Sequence, residues 1–180
     1  MSQIEASLKI TEIFYSLQGE SNTVGHPTVF VRLTGCPLRC NYCDTAYAFS
    51  GGERLSMSAI LNRVARFAPR YVTVSGGEPL AQTACWPLLS ALCDQQYRVS
   101  LETSGAVSVE KIDSRVVLVM DLKTPSSTEK DKNLYSNIEY LKSKDQVKFV
   151  LADRDDYLWA CDIIESYQLA DRCQILMSPS

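Results

Sequence analysis

Short alternating or β-branched apolar runs recur along the chain, separated by stretches of helical period. Residues 8–17 alternate imperfectly and read as a first strand, followed by the polar turn Gln18-Gly19-Glu20. Residues 28–33 form a β-branched and aromatic strand, and residues 71–75, 98–102, 116–121, 146–151 and 174–177 give further short strands. Between them, residues 56–68 predict a helix with Ser56 as N-cap and Ile60, Leu61, Val64 and Phe67 on one face. Residues 84–96 predict a second helix, with Pro87 in its first turn, and residues 134–141 a shorter third. A last helix follows the acids at 153–156, with Leu158, Cys161 and Ile164 facing inward. Residues 124–133 are polar and loop-like, and no repeat or linker divides the chain, so one domain over residues 1–180 is expected.

Strands alternating with helices imply βα units around a parallel sheet, and about six or seven strands are too few for a closed eight-stranded barrel. Polar or glycine-rich clusters sit just after strand ends: Gln18-Gly19-Glu20, the loop beginning at Thr34, Gly76-Gly77-Glu78, Glu102-Thr103-Ser104, Asp121-Leu122-Lys123 and Ser178-Pro179. In α/β folds the C-terminal edge of the strands is where ligands gather, so these clusters are expected to share one rim.

Composition narrows the class without deciding it. With 180 residues, 46% hydrophobic and 22% charged, the chain reads as an ordinary soluble domain, and a formal charge of −3 offers no broad basic footprint for nucleic acid. The polar opening Met1-Ser2-Gln3-Ile4-Glu5 has no apolar signal region and no run is long enough to span a membrane, which leaves the cytoplasm as the expectation. Seven cysteines in that reducing setting point to metal or catalytic chemistry.

Three of the seven, Cys36, Cys40 and Cys43, lie in one loop at C-x3-C-x2-C spacing. Three thiolates leave a four-ligand centre one ligand short: either another residue completes a zinc site, with His26 or Asp44 as candidates, or an iron stays open. His26, the single histidine, sits beside Pro27 and reads as a surface residue. Cys85, Cys93, Cys161 and Cys173 are scattered and read as buried structural thiols.

The spacing, with Tyr42 before the last cysteine, resembles the radical S-adenosylmethionine superfamily, and Gly76-Gly77-Glu78-Pro79 resembles its second motif. Leu17-Gln18-Gly19-Glu20, Phe30 to Cys36, Cys43-Asp44-Thr45, Ser75 to Pro79 and Glu102-Thr103-Ser104-Gly105 together resemble the 7-carboxy-7-deazaguanine synthase family. That resemblance implies a partial (β/α) barrel of the radical S-adenosylmethionine type with about six parallel strands. It implies a [4Fe-4S] cluster on Cys36, Cys40 and Cys43, Mg²⁺ on Thr45, and S-adenosylmethionine near Tyr42, Cys43, Asp44, Gly77, Glu78, Ser104, Asp121 and Lys123. Substrate contacts follow at Leu17, Gln18, Gly19, Arg32 and Ser75, with Glu20 and Glu102 as further polar candidates. The implied reaction takes a hydrogen from 6-carboxy-5,6,7,8-tetrahydropterin, contracts its ring and releases ammonia. Implied partners are an electron donor such as flavodoxin or ferredoxin and a second copy of the chain. Family members continue past the point where this chain stops, so its C-terminal end is expected to be incomplete and its substrate pocket less closed. Two alternatives stand beside this one: a glycyl-radical-enzyme activating enzyme, suggested by Asp121-Leu122-Lys123, and a non-catalytic zinc-binding module.

Overall fold

A computed structural model describes residues 6–180, and the polar residues 1–5 lie outside it. The strands are β1 (Ser7–Leu17), β2 (Pro27–Leu33), β3 (Glu53–Ser56), β4 (Tyr71–Gly76), β5 (Arg98–Thr103), β6 (Val117–Asp121), β7 (Gln146–Leu151) and β8 (Gln174–Pro179). They form one sheet in the order β3-β1-β2-β4-β5-β6-β7-β8. The run from β2 to β8 is parallel throughout, giving the six parallel strands of an open partial barrel. β1 is antiparallel to both β2 and β3.

Alternation along the parallel strands sorts the two faces. On the convex face Val29, Val31, Val72, Val74, Leu101, Met120, Val147 and Phe149 are buried, each worth about 1.5–3 kcal/mol on burial. They join one core with Ile60 and Val64 of α1 (Met57–Ala65), Leu88, Leu89 and Leu92 of α2 (Cys85–Asp94), and Ala160 of α3 (Arg154–Ser166). The intervening positions, Arg32, Ser75, Glu102, Asp121 and Lys148, face the concave side and line a cavity. Parallel strands buried on both faces are usually apolar at every position. Here polar residues alternate with the core positions, beside Phe30, Val119 and Val150, because the concave face is left open for a ligand.

Several elements differ from the sequence expectation. Glu53–Ser56 is a strand not among those expected, formed because its backbone pairs with the start of β1. Ser56 is still the helix N-cap, its Oγ accepting from Ala59 N at 3.2 Å. Phe67 lies beyond α1 and stacks on Tyr15 at 5.8 Å, so it is 40% exposed and not on the core face. The expected helix at 134–141 is a 3-10 helix, Tyr135–Tyr140, and no helix connects β5 to β6. In α3 Leu158 is exposed, and the inward stripe runs through Asp156 and Ala160. Asp156 is buried because its carboxylate accepts from the backbone N–H of Ser126 and Ala152, both at 2.9 Å. The four cysteines outside the loop are free thiols. Cys85, Cys93 and Cys173 are buried and Cys161 is half-buried. Among the described residues, no helix is long and apolar enough to cross a membrane.

Candidate functional site

The loop after β2 carries the three cysteines and is tied down from three sides. Thr34 N donates to Lys9 O at 2.9 Å, Gly35 N to Ala48 O at 2.8 Å, and Asn41 N to Ser127 O at 3.2 Å. Arg39 braces it from within, donating from one terminal nitrogen to Cys36 O at 2.8 Å and stacking over the Phe49 ring at 4.2 Å. Cys36, Cys40 and Cys43 are free, half-buried and close enough for their charges to repel. Burial pushes the Cys36 and Cys40 thiols above the ordinary range, so without metal both favour the protonated form.

Zn–S bonds of about 2.3 Å would bring tetrahedral thiolates to about 3.8 Å from one another. Among the described residues, no three His, Cys, Asp or Glu side chains are gathered tightly enough to hold a single metal ion. A cube-type cluster bonds each cysteine to a different iron, and three free, half-buried cysteines on one loop at the cavity wall fit it. His26, a suggested fourth zinc ligand, lies tilted against the Tyr71 ring, centroids 4.8 Å apart.

The Ser75–Pro79 turn packs directly on this loop. Gly77 N donates to Leu33 O at 3.2 Å and Glu78 N to Gly35 O at 2.8 Å. A Cβ at Gly77 would lie 2.2 Å from Gly35 O and 2.7 Å from the Cys36 Cβ. The missing side chain at Gly77 lets the turn's backbone approach the cysteine loop. Gly76 and Gly77 also line the cavity.

Glu78, expected beside S-adenosylmethionine, does not line the cavity. It is fully buried, outside the cavity lining, and its oxygens accept from Leu80 N at 3.0 Å, Thr103 Oγ1 at 2.9 Å, Ser104 N at 2.8 Å and Ser104 Oγ. It joins the glycine turn to the end of β5. Ser104, a cofactor candidate, lines the cavity while bonded to that carboxylate.

The cavity, about 510 Å³, lies within the usual range of small-molecule sites. Near the cysteines its wall includes Tyr42, Asp44, Thr45, Asp121 and Lys123. Asp121 Oδ2 pairs with Lys123 Nζ at 2.9 Å, while its buried Oδ1 has no hydrogen-bond partner. An orphaned carboxylate oxygen there calls for a donor, and the hydroxyl or ammonium groups of S-adenosylmethionine fit that demand. Burial alone would lower the Lys123 ammonium, but Asp121 and Cys40 hold it above the ordinary lysine range. Tyr42 OH lies 3.4 Å from Thr124 Oγ1. Thr45 makes no side-chain cap to the 3-10 turn that follows; its hydroxyl donates to Asp44 Oδ1 at 2.7 Å, leaving oxygen lone pairs for a hard cation.

The opposite end of the cavity corrects the single-rim expectation. Because β1 is antiparallel, Leu17 pairs with Pro27 at the start of β2, so Gln18-Gly19-Glu20 lie at the N-terminal edge of the parallel strands. There they make the floor. Gln18 is 4% exposed and donates from Nε2 to Thr73 Oγ1 at 3.1 Å and Glu102 Oε1 at 3.4 Å. Leu17, Gly19 and Glu20 also line the cavity. Ser75 Oγ donates to Glu102 Oε2 at 2.7 Å, and Lys148 Nζ pairs with Glu20 Oε2 at 2.6 Å. Burial acts against the Lys148 ammonium, while Asp121 and Glu20 raise it on balance. Lys148, absent from the sequence reading, is visible in the alternation of β7 once Val147 and Phe149 are assigned to the core. Ser178, Pro179 and Ser180 line the side next to β8.

Burial pushes the Glu102 carboxyl above the usual range, against the hydrogen bonds of Ser75 and Gln18 and the charge of Lys148. A carboxyl whose folded pKa exceeds its unfolded value of about 4.3 stabilises the fold fully below that pH, and the contribution is lost as pH rises through the folded pKa. Glu102→Gln is therefore expected to melt above the parent at pH 8, by roughly 2–4 °C for each kcal/mol recovered, and the gap should vanish near pH 4. Melting curves of the ligand-free pair across that range check it; a gap independent of pH would contradict a buried ionisation at Glu102.

Comparison with known proteins bears on this arrangement. The profile of the Radical SAM superfamily matches residues 30–142. The 7-carboxy-7-deazaguanine synthase of Chlorobaculum tepidum is 43% identical over 178 residues, covering 97% of this chain and 81% of the relative. That of Koribacter versatilis is 39% identical over 176 residues, covering 96% and 78%. Among solved structures, QueE from Escherichia coli superposes with a TM-score of 0.81 at 24% identity, covering 97% of this chain and 84% of that one, a likeness of fold.

Proposed function

Because the chain belongs to the radical SAM superfamily and, within it, to the 7-carboxy-7-deazaguanine synthases, we propose that its concave cavity holds cofactor and substrate end to end. The reaction is that of a radical S-adenosylmethionine lyase: 6-carboxy-5,6,7,8-tetrahydropterin becomes 7-carboxy-7-deazaguanine with release of ammonia, in queuosine biosynthesis. A [4Fe-4S] cluster and S-adenosylmethionine serve it. When bound, they would supply reductively triggered radical chemistry for removing a hydrogen from the substrate.

The protein's own work is placement and exclusion of water. Cys36, Cys40 and Cys43 would hold the cluster, one iron remaining for the cofactor. Gly77, Tyr42, Asp44, Ser104, Asp121 and Lys123 would seat S-adenosylmethionine, with the buried, unpartnered Oδ1 of Asp121 taking a hydroxyl or ammonium. Glu78 would act through the glycine turn. Toward the floor, Gln18, Ser75 and Glu102 present amide, hydroxyl and carboxyl groups suited to the polar edge of a pterin, with Leu17 and Gly19 beside them. Arg32 would take the substrate carboxylate, and Thr45 would hold a Mg²⁺ that the same carboxylate reaches. An electron donor of flavodoxin or ferredoxin type, a homodimer and a cytoplasmic setting are expected with this reading.

One observation carries the placement: a cysteine loop and an orphaned carboxylate oxygen at one end of a cavity whose other end is an amide–carboxyl floor. Anaerobic, cluster-loaded protein with dithionite, S-adenosylmethionine, Mg²⁺ and the carboxytetrahydropterin should yield deazaguanine product and ammonia in equal amounts, more slowly without Mg²⁺. Cofactor cleavage with no deazaguanine product would overturn the substrate assignment, and indifference to Mg²⁺ would overturn the role of Thr45.

A further inference from the structure

Arg32 makes one hydrogen bond among the described residues: its Nε donates to Glu12 Oε1 at 2.8 Å. The two terminal nitrogens make none, and the side chain faces the cavity, 17% exposed. Its guanidinium carbon lies 5.8 Å from the Phe14 ring centroid and 5.9 Å from that of Tyr47, so aromatic faces flank it. Glu12 is opposite Arg32 in the antiparallel register of β1 and β2. The same Glu12 oxygen accepts a second hydrogen bond, from Tyr47 OH at 2.8 Å. Tyr47 follows the last cysteine by four residues, so the chain tethers the cysteine loop to β1 through this carboxylate.

A guanidinium grips a carboxylate best with two parallel N–H groups. Taking the Nε–H away leaves the end-on pair of terminal nitrogens as the open edge, held in a defined direction. We infer that Glu12, locked by Tyr47, is the positioning residue that aims the terminal nitrogens of Arg32 at the substrate carboxylate. This rests on the reading that Arg32 binds that carboxylate.

The geometry separates aiming from simple charge. Glu12 is an anion close to where another anion would bind. If charge were its whole effect, removing it would tighten binding of a carboxylated ligand. If it aims Arg32, removing it frees a long side chain that must be ordered again on binding, and affinity falls. Glutamine keeps the accepting oxygen and drops the charge, so Glu12→Gln should retain the aim.

The test uses full-length, cluster-loaded protein and two fluorescent probes, pterin and 6-carboxypterin, with affinities measured by quenching. Glu12→Ala is expected to weaken 6-carboxypterin about tenfold and pterin less than twofold. Glu12→Gln should restore 6-carboxypterin to within about twofold of the parent, and Tyr47→Phe should weaken it about threefold. Arg32→Lys should weaken only the carboxylated probe, and adding Glu12→Ala to it should cost less than twofold more. If Arg32→Lys affects both probes alike or neither, the reading of Arg32 fails and the inference with it. If Arg32→Lys is selective but Glu12→Ala leaves or improves 6-carboxypterin binding, the positioning role alone is overturned. Equal weakening of both probes by Glu12→Ala overturns it as well, leaving Glu12 a merely structural residue. Tyr47→Phe, which removes one exposed hydroxyl, carries the same test should Glu12→Ala fold poorly.

Discussion

Gly77→Ala is expected to retain the sheet and lose the cluster. The new methyl would stand 2.2 Å from Gly35 O and 2.7 Å from the Cys36 Cβ, and the nearest obstacle is backbone. Gly77 has no left-handed backbone of its own, so the effect is steric: the turn and the cysteine loop must part by about 1 Å. Overpacking of this kind costs typically 1–3 kcal/mol. The chemical cost is larger, since a displacement of about 1 Å in a catalytic arrangement lowers rates by about 100-fold. Iron content, the visible absorbance of the cluster and S-adenosylmethionine cleavage should therefore fall together while far-ultraviolet circular dichroism stays near the parent's. Full cluster occupancy with parental cleavage would show that the two loops are not mechanically coupled.

Glu78→Ala is expected to be the most destabilising single change in the site, even in protein without cluster or cofactor. It would leave two buried backbone N–H groups, of Leu80 and Ser104, without their acceptor, together with the hydroxyls of Thr103 and Ser104. The hydroxyls can turn elsewhere, but the N–H groups cannot. Hydrogen bonds to a charged acceptor are worth about 1.5–3 kcal/mol each, so a loss of about 3–5 kcal/mol is expected. For a chain of this size that lowers the melting temperature by roughly 6–20 °C. Glu78→Gln, which retains one accepting oxygen, should fall between. A Glu78→Ala protein that melts with the parent and loses only cofactor affinity would return Glu78 to the role of a direct ligand.

How much of this was legible follows from particular residues. The strands at 28–33, 71–75 and 98–102 showed themselves because their apolar positions face helices, and the cysteine loop showed itself by spacing alone. The direction of β1 carried no local signal, since a strand's side-chain pattern is the same either way. Its connection to β2, from Gln18 to His26, is nevertheless shorter than the dozen or so residues a parallel crossover requires, and that length could have placed Gln18 on the floor. The inner face of α3 was misjudged at Leu158, while Ile164 does pack on the core, because the buried stripe holds Asp156, whose partners Ser126 and Ala152 lie outside the helix. Glu78 was read as a ligand because its motif names a carboxylate; that the carboxylate is consumed by Thr103 and Ser104 depends on two strands meeting. Glu12 and Tyr47 were missed for the same reason: one is an ordinary strand residue and the other an exposed aromatic until Arg32 joins them.

The central claim is that one cavity brings the cofactor's adenosyl carbon to the bound pterin. Substrate deuterated at its carbon-bound positions tests it most directly, with cluster-loaded protein, S-adenosylmethionine, reductant and Mg²⁺. The account predicts deuterium in the 5′-deoxyadenosine portion of the cofactor and unlabelled ammonia released with the deazaguanine. Cofactor cleavage with no deuterium in 5′-deoxyadenosine, whatever the amount of cleavage, would contradict it.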